Sequence, residues 1–523
     1  MAIWKKILIG VGILVVLVAV VNIGLNFWIK EKLPQLINEK NDSPYQITYK
    51  NIDVSIWGGD ALVSEIVLVP KNSLNKTEVK SGIYATIESI NVEGIKAWKI
   101  IFSEKIQAKK LTINRPDIIL YKENDKALND SKSIKNRVVE PFRNTISVRD
   151  IALNNSSLKI ISTKNNKASL IVHNLSMAID QLVLDEETLS EKIPFQYSDF
   201  IVNCDSIYFR ASEFYHITAN QIAVDKNDLK LAAFRLIPQY DRPEFTRRMP
   251  KEKDIFTINA DEIRINNMDW GFKNDDFYFN SSNIFLDRVF ANIYRPKMPP
   301  DDLSKKPLYN KLLREIPFGL HVDTLAVRES TLEYEEEKTF ERGAGLLSFN
   351  QFNLFATEVN SGFGKTKLPD LVINVNCNFM NVSPMKVKWK LNVLDKTDGF
   401  NINGSILNFP AKRLKPFTKP YLNAEVEGML NEVYFNFTGN DMRSSGDFAL
   451  RYKDLKLTVY RKNKSQKKNK LLSFVGNLLV KNDSDEEIVE ATVDNLERIP
   501  EKSFYNFFWR NIGEGLKETL LKI

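Results

Sequence analysis

The chain reads as mainly β: one N-terminal transmembrane helix, then an extended, largely antiparallel β-sheet carrying short helical inserts and a C-terminal helix. Three observations predict it. An eleven-residue pattern recurs at 151–161 (IALNNSSLKII), 207–217 (IYFRASEFYHI) and 325–335 (LAVRESTLEYE), with looser copies starting at Ile90, Leu111 and Ile263. Each copy opens on an apolar–polar–apolar run, meets a short polar kink and resumes alternation; that is period two, hence strand, bend, strand. The 32 Phe and 17 Tyr, against only 21 Gly, favour a pleated, half-buried surface. Residues 7–29 carry no charge over 23 positions and would extend roughly 35 Å as a helix, enough to cross a bilayer.

The bulk numbers bound the rest. With 523 residues, 43% of them apolar and 27% charged, the chain has the composition of a folded protein of several domains. A net charge of +7 is modest at this size. It permits attraction to anionic lipid or nucleic acid, but solubility explains it equally well, and no nucleic-acid partner is expected. With Cys204 and Cys377 as the whole cysteine complement a disulfide framework is excluded, while a single bond between them stays open.

In chain order, residues 1–30 form the anchor. Lys5 and Lys6 precede the apolar run that opens at Ile7 and closes at Ile29, and Trp4 and Trp28 sit at its two ends, where interfacial aromatics belong. The positive-inside rule keeps the N-terminus in the cytoplasm, although Lys30 and Lys32 weaken the contrast. The run is too long for a cleaved signal peptide and lacks a small-x-small site, so an uncleaved signal anchor is expected, with the remaining chain on the far side of the membrane.

Residues 31–365 are a repeat-like β region. Polar stretches at 124–139, 185–192, 239–254 and 299–315 separate strand pairs, and Pro141-Phe142, Pro194-Phe195 and Pro317-Phe318 each come shortly before a copy of the pattern. Proline cannot donate to a ladder, so it suits the first residue of a strand arriving from a loop. Copies follow one another at 56 to 62 residues in the middle of the chain. Residues 308–316 (LYNKLLREI) have near-helical apolar spacing and predict a short helix covering a sheet edge or end.

Residues 366–500 form a second β region of longer alternating strands, with turn signals at Asp398-Gly399 and Gly439-Asn440 that argue for antiparallel meanders. The run 461–470 (RKNKSQKKNK) holds six basic residues in ten and reads as a solvated loop, with anionic lipid heads as the sharper alternative. Residues 501–523 predict an amphipathic helix that docks on the sheet, on a membrane surface or on a partner, the first being the plainest reading.

Catalytic signatures are weak. Residues 362–366 (GFGKT) end like a phosphate-binding loop, but its first glycine would fall at Val359 and a Pro-led strand replaces the required helix. Only His173, His216 and His321 exist, far apart in sequence, which leaves little for zinc or a Ser–His–Asp triad. No enzyme activity, cofactor or metal is expected; an anchored envelope hydrolase is a remote alternative.

A single signal anchor followed by degenerate β repeats with Asn, Asp or Ser kinks resembles the AsmA-like family of bacterial envelope proteins. The best local match is C-terminal: Ile402-Asn403-Gly404-Ser405, Val426-Glu427-Gly428, Phe437-Thr438-Gly439-Asn440 and the run 445–457 (SGDFALRYKDLKL), similar to the family's closing segment of glycine-led strands and a Tyr-x-Asp-Leu-like run. The resemblance implies a single-pass inner-membrane protein with its bulk in the periplasm. It further implies a long, curved, groove-like β-sheet whose apolar face guides phospholipid in support of outer-membrane lipid homeostasis, and an envelope protein as a further partner. A non-transporting scaffold or assembly factor for outer-membrane biogenesis is the alternative.

Moving a sixteen-carbon acyl chain through water costs about 12 kcal/mol, at roughly 0.8 kcal/mol per methylene, and an apolar strand face removes most of that cost. Alternate residues share one face of a strand. Ile151, Leu153, Ile263, Ile265, Leu325 and Val327 are therefore the candidate apolar groove positions, and the same positions would equally fill a packed sandwich core.

Overall fold

The computed structural model describes residues 45–55, 59–71, 80–96, 106–122, 146–185, 187–188, 191, 193, 195–460 and 483–520. No helix among the described residues is long and apolar enough to cross a membrane. The expected anchor at Lys5, Lys6, Ile7, Trp28 and Ile29 lies outside them, as does the basic run 461–470. The described chain is mainly β, with 23 strands and antiparallel neighbours at most of its pairings. It divides into two compact units: the chain up to Ser212 together with Ile217–Leu231, and Glu213–His216 together with everything from Ala232. The expected change of region near residue 366 falls inside the second unit, between β17 (Gly345–Asn360) and β18 (Leu371–Phe379).

The first unit opens with β1 (Tyr45–Thr48) and β2 (Asn51–Ser55), both antiparallel to β3 (Asp60–Pro70), which pairs with β4 (Gly82–Glu93). The next strand is broken in two. β5 (Ile106–Asn114) and β6 (Asp117–Lys122) both lie antiparallel to β4 and both parallel to β7 (Ile146–Ser162). They are thus one strand interrupted at Arg115-Pro116. From β7 the order runs antiparallel through β8 (Ala168–Leu184), β9 (Asp199–Phe209) and β10 (Tyr215–Asp225).

The second unit repeats this plan. β12 (Ile255–Asn266) pairs antiparallel with both β14 (Asp276–Asp287) and β15 (Phe290–Pro296), which are collinear pieces interrupted at Arg288-Val289 and both parallel to β16 (Gly319–Glu337). β13 (Asp269–Lys273) continues β12 along β14. An antiparallel meander then follows from β16 through β17, β18, β19 (Ser383–Leu391), β20 (Phe400–Pro410), β21 (Ala424–Gly439), β22 (Arg443–Val459) and β23 (Val489–Glu497). β11 (Leu229–Pro238) straddles the division between the units. Parallel neighbours need a crossover rather than a tight turn, and the polar stretch around 299–315 supplies the one between β15 and β16.

Four α-helices are described: α1 (Arg242–Arg248), α2 (Tyr309–Arg314), α3 (Lys415–Leu422), which a 3-10 turn at Ala411–Leu414 leads into, and α4 (Phe504–Leu520). Asp241 caps α1, accepting a hydrogen bond from the Glu244 amide at 2.8 Å, and Pro243 stands in its first turn, where a missing N–H costs nothing.

The eleven-residue pattern has a specific backbone meaning. Its fifth position is Gly94, Arg115, Asn155, Asn267 or Glu329, and each of these adopts positive φ, between 45° and 65°. A single left-handed residue makes a β-bulge, which bends the strand and leaves one residue unpaired. The register skips there, between Leu153 and Ser156 in β7 and between Val327 and Ser330 in β16. The copy at 207–217 differs. Ala211 has no left-handed φ, and this copy is a hairpin turn from β9 into β10 rather than a bent strand, a correction to the sequence reading. Its polar centre, Arg210 to Glu213, is long enough to reverse the chain.

The bulge also explains the spacing of the core. Ile113 and Ile118, like Leu153 and Leu158, are five apart, an odd interval that would put them on opposite faces of an unbroken strand. All four are at most 3% exposed in one cluster, because the extra residue returns the second half to the original face.

Candidate functional site

The bulges fall at one level across neighbouring strands. In the first unit the left-handed residues Glu65, Arg115, Asn155, Asn174 and Gln221 stand at one level on β3, the β5–β6 break, β7, β8 and β10, with β4 and β9 crossing the line between them. Polar side chains bridge along this line. Asn114 Nδ2 donates to Ser89 Oγ at 3.0 Å, Asn154 Nδ2 to Asn114 Oδ1 at 2.9 Å, and the Asn155 amide to Ser176 Oγ at 3.1 Å. Arg115 adds an ion pair to Glu88 at 2.8 Å.

In the second unit Arg288, Glu329 and Gln351 form the equivalent line. Arg288 pairs with Asp261 at 2.7 Å, the Glu329 amide donates to Asn353 Oδ1 at 3.0 Å, and Ser330 Oγ accepts from the Val289 amide while donating to the Arg328 carbonyl, both at 2.8 Å. Beside it Arg328 grips Asp287 with two nitrogens, at 2.6 and 2.8 Å, and Arg264 adds a third contact at 3.0 Å. The Arg328 hydrogen bonds, with Arg264 assisting, hold the Asp287 carboxyl below the usual aspartate range.

The apolar face is built by the same registers. In the first unit Val92, Leu111, Ile151 and Ile179 stand in one cross-strand row and Ile90, Ile113, Leu153 and Met177 in the next. Ile151 is 8% and Leu153 1% exposed, so both expected groove positions lie in a closed core, with Phe195 packed into the same cluster.

The other four expected positions come together in the second unit. Ile263, Leu286, Val327, Leu354 and Val375 form one row, and Ile265, Ile284, Leu325, Ala356 and Ile373 form the next, across β12, β14, β16, β17 and β18. All except the buried Ala356 are half-buried. Register carries these rows onward to Trp389 on β19, Ile402 on β20 and Phe437 on β21.

There α2 and α4 close over the face. The Phe504 ring of α4 stacks on Trp389 with centroids 4.4 Å apart, and Phe508 meets Phe435 edge-on at 5.2 Å. Gly515 lets the helix approach Phe448 so closely that a Cβ at that position would come within 2.4 Å of the ring. Ser444 and the buried Asn511 share a hydrogen bond of 2.8 Å. From α2, Asn310 Nδ2 donates to the carbonyls of Asn392 and Gly399, both at 2.9 Å, and Arg314 pairs with Asp398 at 2.7 Å. The apolar face of the second unit is therefore capped over β19–β22 and left half-open over β12, β14, β16 and β17.

Cys204 and Cys377 are both free and buried, which answers the pairing question left by the sequence. Burial pushes the Cys204 thiol up to about 11 and the Cys377 thiol up to about 12, so both stay protonated and inert at neutral pH. Among the described residues no group of three or more His, Cys, Asp or Glu side chains is placed to hold a metal. The capping helices fall where near-helical spacing at 308–316 and amphipathic patterning at 501–523 predict helices, whereas the individual contacts, Phe504 on Trp389 and Phe508 on Phe435, carry no signal in the sequence beyond the aromatic density of 504–509 (FYNFFW).

No protein-family model matches the chain, and a comparison with curated proteins finds no match either.

Proposed function

We propose that this chain is an envelope protein, anchored by its N-terminal apolar run with its bulk in the periplasm, that binds phospholipid acyl chains on the apolar β face of its second unit and guides them along it. One observation carries the reading: the half-open double row of Ile263, Ile265, Ile284, Leu286, Leu325, Val327 and Leu354. Monomeric soluble proteins seldom leave a contiguous apolar strip partly in water unless something binds there. At roughly 25 cal/mol per Å², covering such a strip with an acyl chain recovers several kcal/mol of the cost of taking that chain from a bilayer. The resemblance to the AsmA-like family points the same way.

A photoreactive residue tests this. Placed at Leu325 or Leu354 in living cells, it captures phospholipid; placed at the neighbouring Thr324 or Phe355, on the other face, it does not. Capture at neither pair, or equally at both, rejects acyl-chain guidance.

The second reading, a non-transporting scaffold for outer-membrane biogenesis, is favoured by the closed core of the first unit, where Leu153 and Ile113 leave no open apolar wall. Affinity capture yielding one stoichiometric envelope protein and no lipid distinguishes it.

A further inference from the structure

The face of the second unit opposite the apolar rows carries a trough of about 690 Å³ running across β18–β23. Its construction follows from register. One cross-strand row reads Asn374, Lys388, Asn403, Asn436 and Asp447. The next reads Lys386, Ser405, Tyr434, Ala449 and Glu490, so the short side chains of Ser405 and Ala449 alternate with long ones and leave dips on either side of Tyr434. Tyr434 is 40% exposed, whereas its chain neighbours Val433 and Phe435 point into the core.

We propose that this trough binds an oligosaccharide bearing carboxylate groups. Three features select that chemistry. The side-chain amides of Asn374, Asn403 and Asn436 complement neighbouring sugar hydroxyls: Asn403 spends one N–H on Asn401 Oδ1 at 3.1 Å and keeps its Oδ1, and Asn436 accepts from Asn401 Nδ2 at 2.9 Å and keeps its amide donors. The exposed Tyr434 ring, hydroxyl tied to Glu432 at 2.9 Å, is a flat apolar platform with a polar edge, suited to the C–H face of a sugar ring. Lys386 and Lys388 are exposed and form no ion pair among the described residues, although Lys390 on the same strand is neutralised by Asp370 at 2.8 Å, so positive charge is available along one side of the trough. Asp447 and Glu490 on the far side accept from sugar hydroxyls, so the ligand's carboxylate groups fall on the side of Lys386 and Lys388. An acyl lipid finds no apolar row on this face.

The test is native affinity electrophoresis of the full chain in gels containing polygalacturonate, neutral dextran or no polymer. Retardation is expected in polygalacturonate and not in dextran. Tyr434→Ala weakens it about fivefold to tenfold, Tyr434→Phe retains it, and Lys386→Gln with Lys388→Gln weakens it by a similar factor. Tyr434 is exposed, so its substitution leaves folding intact, and an unchanged thermal midpoint verifies this. Equal mobility in all gels overturns the proposal. So does retardation that Tyr434→Ala leaves untouched, which marks ion exchange by a chain of net charge +7. Retardation left unchanged by Lys386→Gln with Lys388→Gln, when the same pair weakens binding to anionic phospholipid vesicles, overturns it in favour of a lipid headgroup.

Discussion

The Trp389 indole lies flat against the Phe504 ring, the two planes inclined by only 9°. One residue belongs to a central strand of the meander and the other to the first turn of the C-terminal helix. This contact pins the helix over the apolar rows, and Tyr309, perpendicular to both rings, closes the cluster. Replacing Phe504 by Ala removes a ring that is 4% exposed, and a loss of about 3–5 kcal/mol is expected in urea unfolding. Trp389→Phe keeps a stacked ring and should cost less than about half of that. Equal losses for the two would show that stacking is not what holds the helix.

Glu329 pays for the bend in β16 with a left-handed backbone, φ 52°, that an L side chain adopts at a cost of roughly 1–2 kcal/mol. Glu329→Gly is expected to stabilise the second unit by up to about 1 kcal/mol, and Glu329→Ile to destabilise it by a similar amount or more, since β-branching worsens the same strain. Asn155, whose residue type tolerates this conformation better, should show the smaller gain on Asn155→Gly. Chemical denaturation of the variants decides. A glycine that destabilises at Glu329 would mean that the side chain, not the backbone, holds the bend.

Much of the architecture was legible in the chain, and the reason is phase. Alternation named Ile263, Ile265, Leu325 and Val327 as one face because side chains two apart on a strand share it, whatever the partners. Register between strands is a different matter: it depends on which strands meet, and no local pattern in β14 announces that it runs parallel to β16. For the same reason the rows that join Lys388 to Asn403 and Asn436 could not be assembled from sequence. The hairpin at 207–217 carries the same letters as the bent copies; the handedness of the fifth residue, left-handed at Asn155 and Glu329 but not at Ala211, separates a bend from a reversal. Residues 461–470 and the expected anchor lie outside the described residues.

Asp287 makes the second unit sensitive to acid. Its folded pKa is depressed, chiefly by Arg328, so it binds protons more weakly folded than unfolded. Its contribution is complete above the unfolded aspartate value of about 4 and is lost as pH falls through the lower folded value. Stability should therefore drop between about pH 4 and the acid limb's foot. Arg328→Ala should flatten that part of the curve, since the depressed pKa then moves back toward its ordinary value. Unfolding free energy measured from pH 2 to 7 gives the answer, and parallel curves for the two proteins would show that Asp287 does not couple to Arg328.

The two thiols offer a probe of unit integrity. With burial holding both pKa values up, neither Cys204 nor Cys377 should react with a thiol reagent at pH 8 in the folded protein, while both should react in denaturant. Because the two lie in different units, graded denaturant that releases one thiol before the other would show which unit opens first.

The aligned bulges make each sheet behave like paper folded along a single pleat. Away from that line the hydrogen-bond ladders resist bending, whereas along it β3, the β5–β6 break, β7, β8 and β10 in the first unit, and the β14–β15 break, β16 and β17 in the second, each already carry a left-handed residue. A change of curvature therefore needs no ladder to be broken, only a concerted few degrees of rotation at Arg115, Asn155 and Asn174 in one unit or at Arg288, Glu329 and Gln351 in the other. Each line gives its unit a soft direction, chosen by chain chemistry, along which the strands that cross it can bend while they stay paired.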